Sequence, residues 1–363
     1  MIFRLCPIPI LAFCAFADEG MWLFNNPPLR QLQAKYGFMP SAEWLEHVRK
    51  SSVRFNSGGS GSFVSADGLV MTNHHVAADC LAKISSLRKD YLGAGFLASS
   101  RADERKCVDL ELNVLMSVED VTARVNAAVQ PGVDAAAAQK ARRAVTNTIE
   151  KESLDKTGLR SDVVTLYNGG QYHLYRSRKY TDVRLVFAPE KAAAFFGGDP
   201  DNFEYPRYNL DITFFRAYEN DRPARVEHYL KWSAAGAGEG DLVFVSGHPG
   251  RTARLQTLRH MEFTRDRAVP FTLNMLRRRE VALKAFSDRA AENARRAEED
   301  LAGLQNSRKA YLGLIEGLQD PALMARKRAE EKALREAVAG YPQWQREFGD
   351  AWDQVSAANG DCE

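Results

Sequence analysis

The chain has 363 residues, of which 45% are hydrophobic, so it can bury the core of roughly two or three structural units. This apolar content excludes a disordered tail. The 49 basic and 47 acidic residues leave a net charge of +2, which is too balanced to favour nucleic acid or another polyanion as a partner. Charge therefore gives no information about the substrate.

Residues 1–17 have the pattern of a secretory signal. Arg4 supplies a basic residue, an apolar run covers Leu11 to Phe16, and small residues lead up to Ala17. We expect cleavage after Ala17 and a periplasmic or secreted mature chain. The apolar run is too short to span a bilayer, and no later segment has the roughly 18 uninterrupted apolar residues that a span needs. No membrane partner is therefore expected.

The cysteines fit an exported chain. Of the five, Cys6 and Cys14 leave with the signal. Cys80 and Cys107 are the two nearest each other in what remains, and an oxidising compartment permits a disulfide between them. Such a bridge would stabilise the fold by about 3 kcal/mol in the chain-entropy model. Cys362 is left over, and it either stays free or pairs with a cysteine further along a longer chain.

The predicted elements begin with a helical stretch over residues 22–50. A glycine-rich stretch and short β-prone runs follow between residues 52 and 76. Asp67-Gly68 separates two of these runs and predicts a hairpin, which puts the pair His74-His75 just past its second strand.

Helical and β segments alternate along the rest of the chain. Residues 118–156 are rich in Ala, Glu, Lys and Arg and predict a helical excursion between β segments. Predicted strands then follow at residues 163–167, 172–175, 183–187, 212–218 and 241–246. Short strands joined by glycine turns indicate a barrel or sandwich and not a parallel sheet. From Thr264 to about Val338, charged residues interleave with Ala and Leu, which predicts amphipathic helices with a solvated face.

The strongest chemical signal lies at the end of the predicted hairpin. A histidine just after an apolar strand that ends in Thr is how a trypsin-like double barrel presents its general base, and alignment on Thr72 makes that base His75 and not His74. An imidazole suits the task because its pKa of about 6.5 lets it accept and return a proton near neutral pH. The alternatives are two structural histidines or a zinc site, for which a third ligand at recognisable spacing is lacking.

A second signal is a carboxylate at the start of a later apolar strand. Asp211 precedes the strand 212–218 and follows the histidine in the right order for the group that orients the imidazole and stabilises the imidazolium. His, Asp, Ser is the chain order of chymotrypsin-like enzymes. Asp199 and Asp201 lie in a Gly-Pro turn, where turn formation is the simpler interpretation.

Taken together, these stretches resemble the bacterial periplasmic serine dipeptidyl aminopeptidases of the dipeptidyl-peptidase 7 and 11 type. The motifs that carry the resemblance are Ser-Gly-Ser-Phe at 60–63, Thr-Asn-His-His at 72–75 and the segment 197–211. The similarity starts at residues 18–22 and continues through 306–313. It implies a mixed β and α fold, in which a chymotrypsin-like double β-barrel, its second barrel incomplete, carries an inserted and truncated α-helical domain.

The expected boundaries combine the N-terminal pattern and the change in composition near Thr264 with this resemblance. Residues 1–17 form the signal peptide, 18–263 the trypsin-like β-barrel region, and 264–363 the start of a helical lid domain. The implied activity is release of dipeptides from the free N-terminus of peptides, so such peptides are the expected partners. No cofactor and no metal are implied, and a homodimer is left open.

The resemblance also implies roles for individual residues. His75 and Asp211 would be two members of a catalytic triad. Asn202 and Phe203 would line the site for the substrate's N-terminal ammonium, and Asn306 of the helical domain would complete that site. The family often carries Trp after the first asparagine, whereas Phe203 keeps an apolar wall but lacks the indole donor.

The main departure from the family is the nucleophile. The family's serine lies in a Gly-Asn-Ser-Gly-Ser type loop of the closing barrel, and we find no such loop here. Ser60 and Ser62 precede the histidine strand and do not match that place. We therefore expect a chain that lacks the serine and the pocket for substrate side chains and is inactive alone. One alternative is a non-catalytic peptide-binding module that kept the clamp, meaning the predicted site of Asn202, Phe203 and Asn306 for the substrate's N-terminus. The other is a complete peptidase with an unforeseen serine.

Overall fold

The computed structural model describes residues 20–86, 88–250, 252–253 and 255–360. The predicted signal segment, its cleavage site after Ala17 and the leftover Cys362 lie outside the described residues. None of the described helices combines the length and the apolar character needed to cross a bilayer.

An antiparallel sheet of eleven strands dominates the described residues. In chain order the strands are β1 Ser52–Phe55, β2 Ser60–Phe63, β3 Leu69–Thr72, β4 Phe96–Leu97, β5 Arg105–Lys106, β6 Leu112–Asp120, β7 Arg160–Leu166, β8 Gln171–Tyr180, β9 Asp182–Ala188, β10 Thr213–Glu219 and β11 Arg222–Pro223. Their order across the sheet is β4-β9-β10-β3-β2-β1-β6-β8-β7, with β11 beside β10 and β5 beside β9.

The helices fall into a group interleaved with the strands and a C-terminal group. The first group is α1 Leu29–Tyr36, α2 Ala42–Ser51, α3 His74–Ile84, α4 Tyr91–Ala94, α5 Thr122–Ala127, α6 Ala135–Thr157, α7 Lys191–Ala194 and α8 Gly198–Asp201. The second group is α9 Leu258–Phe263, α10 Val269–Ser287, α11 Ala291–Gln319, α12 Pro321–Gly340, α13 Pro342–Phe348 and α14 Ala351–Gly360. A π-helical segment, Thr264–Ala268, joins α9 to α10.

The core lies on one face of the sheet, where the alternating apolar residues of its strands meet. Phe55 and Phe215 are almost fully buried, with ring centroids 5.7 Å apart, and Val70 of β3 lies in the same cluster. Burial of each such side chain contributes about 1.5–3 kcal/mol. A second cluster packs α5 and α6 against β8 and consists of Val121, Val125, Ile149, Tyr172 and Leu174.

Most of the predicted elements are present. The predicted strands at 163–167, 172–175, 183–187 and 212–218 correspond to β7, β8, β9 and β10. Gly68 occupies the hairpin turn between β2 and β3 with a φ of +73°, and a Cβ there would lie only 2.9 Å from the carbonyl oxygen of Ala217. The helical excursion starts at Thr122, later than predicted, because β6 continues to Asp120 in order to pair with β8.

Two expectations about the later part of the fold are revised. The predicted strand at 241–246 is wrong, since this segment has no strand pairing and exposes Val243 and Val245. A strand needs a neighbour for its N–H and C=O groups, and no backbone pairing joins this segment to a described strand, although the hydroxyl of Ser246 accepts from that of Ser52. The double β-barrel is not confirmed, because the described strands form a single antiparallel sheet.

The predicted disulfide between Cys80 and Cys107 is present, with the two Cα atoms 5.3 Å apart. Cys80 lies on α3 and Cys107 directly follows β5, so the bond ties this helix to the edge where β5 pairs with β9. Since α3 begins at His74, the disulfide also holds the helix that carries both histidines of the motif.

Candidate active site

His75 and Asp211 lie together beyond the ends of two adjacent strands. Strands β3 and β10 pair antiparallel with Thr72 opposite Thr213. Asp211 lies two residues before Thr213 and His75 lies three residues after Thr72, so both lie just beyond the same end of this strand pair. Main-chain pairing thus brings together two residues that are 136 positions apart in sequence.

The Asp211 carboxylate accepts hydrogen bonds from the turn that begins α3. Nδ1 of His75 lies 2.9 Å from Oδ2, the backbone N–H of His75 donates to Oδ1 over 3.1 Å, and Nδ2 of Asn73 donates to Oδ2 over 3.2 Å. Because an ionised carboxylate can only accept, Nδ1 of His75 carries the proton. In the neutral ring, Nε2 then holds a lone pair, which is the form that a general base requires.

The contact shifts both pKa values toward the charged forms. The hydrogen bond to Asp211 raises the pKa of His75, against the opposing effects of partial desolvation of the ring and of the positive charge on Arg207. Burial on its own would raise the pKa of Asp211, but the hydrogen bond and charge of His75 outweigh it and lower that pKa. A carboxylate that stays ionised beside an imidazolium is suited to support a catalytic histidine.

The two histidines of the motif have different surroundings. The His75 side chain is 72% exposed, so its ring is open to a ligand. His74 is 6% exposed, and its Nε2 is buried with no partner among the described residues. Burial lowers the pKa of His74, so this ring stays neutral at pH 7. The geometry therefore favours His75 as the proton-transferring group.

Asn202 of the sheet region and Asn306 of the C-terminal helices are in direct contact. Nδ2 of Asn202, which follows α8, donates to Oδ1 of Asn306 on α11 over 2.9 Å. Oδ1 of Asn202 accepts from Arg207 over 3.1 Å, and this bond fixes which way the amide points. Phe203 comes next in the chain with its side chain exposed to solvent. The structure thus brings Asn202 and Asn306 together, and Phe203 follows Asn202 in the chain.

The local sequence explains the shape of the loop that carries Asn202. Gly197 enters the single turn of α8 with a φ of +80°, and a Cβ there would lie 1.9 Å from Oδ2 of Asp201. Only glycine fits such a position without displacing its neighbour. The tight turn brings Asn202 back toward α11.

Sequence reasoning missed several side chains that hold this site. Lys309 donates to the backbone carbonyls of Asp199, Pro200 and Asn202 over 2.7, 2.9 and 2.8 Å. Arg308 donates to Oδ2 of Asp199 over 3.1 Å, so that aspartate does more than form a turn. The available signal was spacing, since residues three apart on a helix share a face. Lys309 stands in that relation to Asn306.

The pair of His75 and Asp211 lies on the same surface as the clamp residues. Arg207 contacts Asn202, and its positive charge also opposes the rise in the pKa of His75. Around them lie exposed large apolar side chains, namely Phe196, Phe203, Tyr205, Tyr208 and Leu210. A concentration of exposed apolar side chains next to charged groups is typical of a binding surface.

The described residues also limit what this surface can hold. In the part of the chain that the structure describes, no group of three or more His, Cys, Asp or Glu side chains has the arrangement of a metal site. Among the described serines, none hydrogen-bonds to His75. The arrangement supplies a base, its carboxylate and an amide pair.

Sequence comparison finds similarity to curated dipeptidyl-peptidases. The Asp/Glu-specific dipeptidyl-peptidase of Porphyromonas endodontalis is 31% identical over 283 residues, which cover 70% of this chain and 39% of that protein. Dipeptidyl-peptidase 7 of Capnocytophaga gingivalis is 28% identical over 358 residues, which cover 94% of this chain and 50% of that protein. The chain thus spans half or less of the length of these curated relatives.

Comparison with solved structures shows a shared fold. The crystal structure of Porphyromonas endodontalis DPP11 with the dipeptide Arg-Glu matches 95% of this chain and 52% of that chain, with a TM-score of 0.78 and 24% identity, and so shows a shared fold. That fold is a mixed α and β arrangement with a large antiparallel sheet. Residues 17–362 match the family model Peptidase S46. The predicted family is therefore confirmed, and the chain belongs to the peptidase S46 family.

Proposed function

We propose that this chain carries the His-Asp part of a serine dipeptidyl aminopeptidase, which releases dipeptides from the free N-terminus of peptides. The observation that carries the proposal is the 2.9 Å contact between Nδ1 of His75 and Oδ2 of Asp211, with the ring open to solvent. Relatives named dipeptidyl-peptidases support the class of reaction.

In the proposed reaction, Nε2 of His75 takes the proton from a serine hydroxyl as its oxygen attacks the scissile carbonyl. The same nitrogen later gives the proton to the leaving amine. Asp211 stabilises the imidazolium between these steps, and its lowered pKa keeps it ionised while it does so. Asn73 helps to hold the carboxylate in place, because its Nδ2 donates to Oδ2 of Asp211.

We assign Asn202, Phe203 and Asn306 to the substrate's N-terminus. An ammonium group has only donors, and an amide oxygen that already accepts one hydrogen bond keeps a second lone pair. Oδ1 of Asn202 and Oδ1 of Asn306 are both in this state. A clamp for the N-terminus at a fixed distance from His75 would make the length of the product constant, which accounts for release of dipeptides.

We further propose that the described residues do not supply the nucleophile. The hydroxyl of Ser60 accepts from the backbone N–H of His248 over 2.7 Å, and that of Ser246 accepts from Ser52 over 2.9 Å, so both have other partners. By analogy with the dipeptidyl-peptidases that the sequence resembles, the antiparallel sheet would be the first barrel of a double barrel. Helices α9 to α14 would then belong to the helical lid.

Export of the chain to an oxidising compartment is part of the same proposal. The Cys80–Cys107 disulfide supports it, because such bonds persist outside the reducing cytosol and are rare within it. The predicted signal at residues 1–17 would direct that export.

The proposal is tested first by turnover. The purified chain is incubated with a dipeptide amide that releases a chromophore, with and without a serine-directed phosphonate. We expect no phosphonate-sensitive release, because a His-Asp pair without a nucleophile has nothing to activate. Phosphonate-sensitive turnover would show that the chain contains its serine after all.

Binding then distinguishes a clamp from an unrelated surface. Calorimetric titration compares the dipeptide Arg-Glu with its N-acetylated form, which lacks the ammonium. We expect tighter binding of the free form, and Asn202→Ala should weaken that binding by about 1–3 kcal/mol while leaving the acetylated form unaffected. Equal binding of both forms to the unmodified chain would remove the clamp from the proposal.

A further inference from the structure

We propose that Lys309 is a positioning residue that sets the Asn202 amide against Asn306 and so controls recognition of the substrate's N-terminus. The inference rests on the proposed clamp function of these two asparagines. Its basis is the set of contacts that the Lys309 ammonium makes with the loop after α8.

The Lys309 ammonium donates to three main-chain acceptors and also lies 3.8 Å from Oε1 of Glu204. An ammonium has three N–H donors, and Nζ of Lys309 lies 2.7, 2.9 and 2.8 Å from the carbonyl oxygens of Asp199, Pro200 and Asn202. Its side chain is 19% exposed. Carbonyls at the end of a helix lack some of their partners within it, and here the ammonium donates to those at the end of α8. The Asp199 carbonyl also accepts from the backbone N–H of Asn202.

Asn202 is consequently held at two points by one face of α11. Its side chain donates to Asn306, and its own carbonyl oxygen accepts from Lys309. Residues three apart in a helix are separated by about 4.5 Å along the axis, so the two contacts fix both the position and the direction of residue 202. Loss of the Lys309 contact should leave the backbone of residue 202 less firmly placed, so that its side chain meets Asn306 and Arg207 less well.

Other contacts would keep the loop attached without this lysine. Arg308 binds the Asp199 side chain and is itself held by Glu280 over 2.8 Å. Lys191 of α7 pairs with Glu298 of α11. Removal of Lys309 should therefore change the placement of Asn202 more than it changes attachment of the helices to the sheet region.

The test uses the full chain and three variants. Lys309→Met removes the ammonium and keeps the apolar stem, Lys309→Arg keeps a cation with several donors, and Lys332→Met is the matched control. Lys332 lies on α12 with a side chain 77% exposed and an i,i+4 contact to Glu336. Each protein is titrated with Arg-Glu and with N-acetylated Arg-Glu, and hydrogen exchange is followed in a peptide covering residues 198–204.

Lys309→Met should raise the Kd for free Arg-Glu about tenfold and bring it close to the Kd for the acetylated form. Backbone amides of residues 198–204 should exchange faster, while the urea midpoint stays near that of the unmodified chain. Lys309→Arg should recover part of the difference, because a guanidinium can still donate to carbonyls in a different geometry. Lys332→Met should change neither Kd nor exchange.

The outcomes separate this inference from the function on which it rests. If the unmodified chain binds free and acetylated Arg-Glu equally, the clamp function itself is wrong. If it discriminates between them and Lys309→Met discriminates equally well, Lys309 is not a positioning residue. Should Lys309→Met fail to fold, Lys309→Arg provides the test, since an unchanged Kd ratio together with unchanged exchange would also overturn the inference.

Discussion

The two parts of the proposed site are held by different kinds of contact. His75 and Asp211 meet because β3 and β10 pair in one register, and the turn into α3 adds backbone and side-chain donors to the carboxylate. Asn202 and Asn306 meet through side chains that connect a loop to a helix. The first pair depends on the sheet as a whole, and the second depends on a few individual residues.

This difference has an energetic reason. Strand pairing is supported by a buried core, so the loss of one polar contact leaves the register intact. A single side-chain hydrogen bond contributes only about 1 kcal/mol net, and exposed ion pairs contribute about 0–1 kcal/mol. A small displacement of α11 would therefore separate the clamp asparagines while the His-Asp pair stayed in place.

The largest expected effect comes from breaking the core beneath the sheet-held pair. Phe215 on β10 is fully buried against Phe55, and Phe215→Ala should lower the free energy of unfolding by about 3–5 kcal/mol. Urea denaturation measures the change. Phe271→Ala on α10 is the control, because that side chain is 73% exposed and should change stability by no more than about 0.5 kcal/mol. Similar losses for both variants would contradict the position of the core.

Removal of the disulfide should have the next largest effect. Replacing Cys80 and Cys107 by serine frees α3 from the β5 edge and should cost about 3 kcal/mol, because it restores conformational freedom to the unfolded chain. Reduction of the unmodified protein should give a similar loss. Non-reducing peptide mapping checks the bond itself, and two free thiols in periplasmic material would refute it.

A pH-dependent loss of stability should arise from His248, which packs against the β2 strand near the site. Burial lowers its pKa from 6.5 to about 4, while its backbone N–H donates to Ser60. Because the unfolded chain binds the proton more tightly, stability is complete above about pH 6.5 and falls as the pH drops toward 4, by up to about 3 kcal/mol.

His248→Gln should flatten the dependence in that window, as measured by urea midpoints from pH 7 to pH 4. The comparison is of slopes, so a uniform loss of stability in the variant does not affect it. An unchanged slope would show that the ring is accessible to water and not buried as the structure places it.

The smallest expected effect on stability comes from Asp211→Asn, because the His75 ring is largely exposed. The pKa of His75 should fall when the carboxylate is lost, and an NMR titration of the ring protons measures it directly. Because the pKa of His75 is raised in the folded chain, its contribution to stability is complete at a pH below the pKa of the unfolded chain. That contribution is lost as the pH rises through the pKa of the folded chain.

Because the pKa of Asp211 is lowered in the folded chain, its contribution is complete at a pH above the pKa of the unfolded chain. That contribution is lost as the pH falls through the pKa of the folded chain. A His75 titration that is the same in both proteins would show that the pair is not coupled.

Sequence reasoning succeeded where the signal is local. The hairpin turn at Gly68, the strands β7 to β10 and the helices α10 to α12 follow from patterns within short windows. The family followed from motifs around His75 and Asp211, because those motifs are contiguous. The strand predicted at 241–246 failed for the opposite reason, since an apolar run forms a strand only beside a partner.

The sequence by itself determined the candidates for the chemistry, namely a histidine and an aspartate in contiguous motifs and, through the family resemblance, the two asparagines. Only the tertiary structure decided what holds them in place: Asn73 on the Asp211 carboxylate, Arg207 on the Asn202 amide, and Lys309 on the carbonyls of the loop. The physical reason is that residue type and spacing are properties of a short segment. A hydrogen bond between residues 107 positions apart, as between Lys309 and Asn202, exists only after packing has brought two segments together.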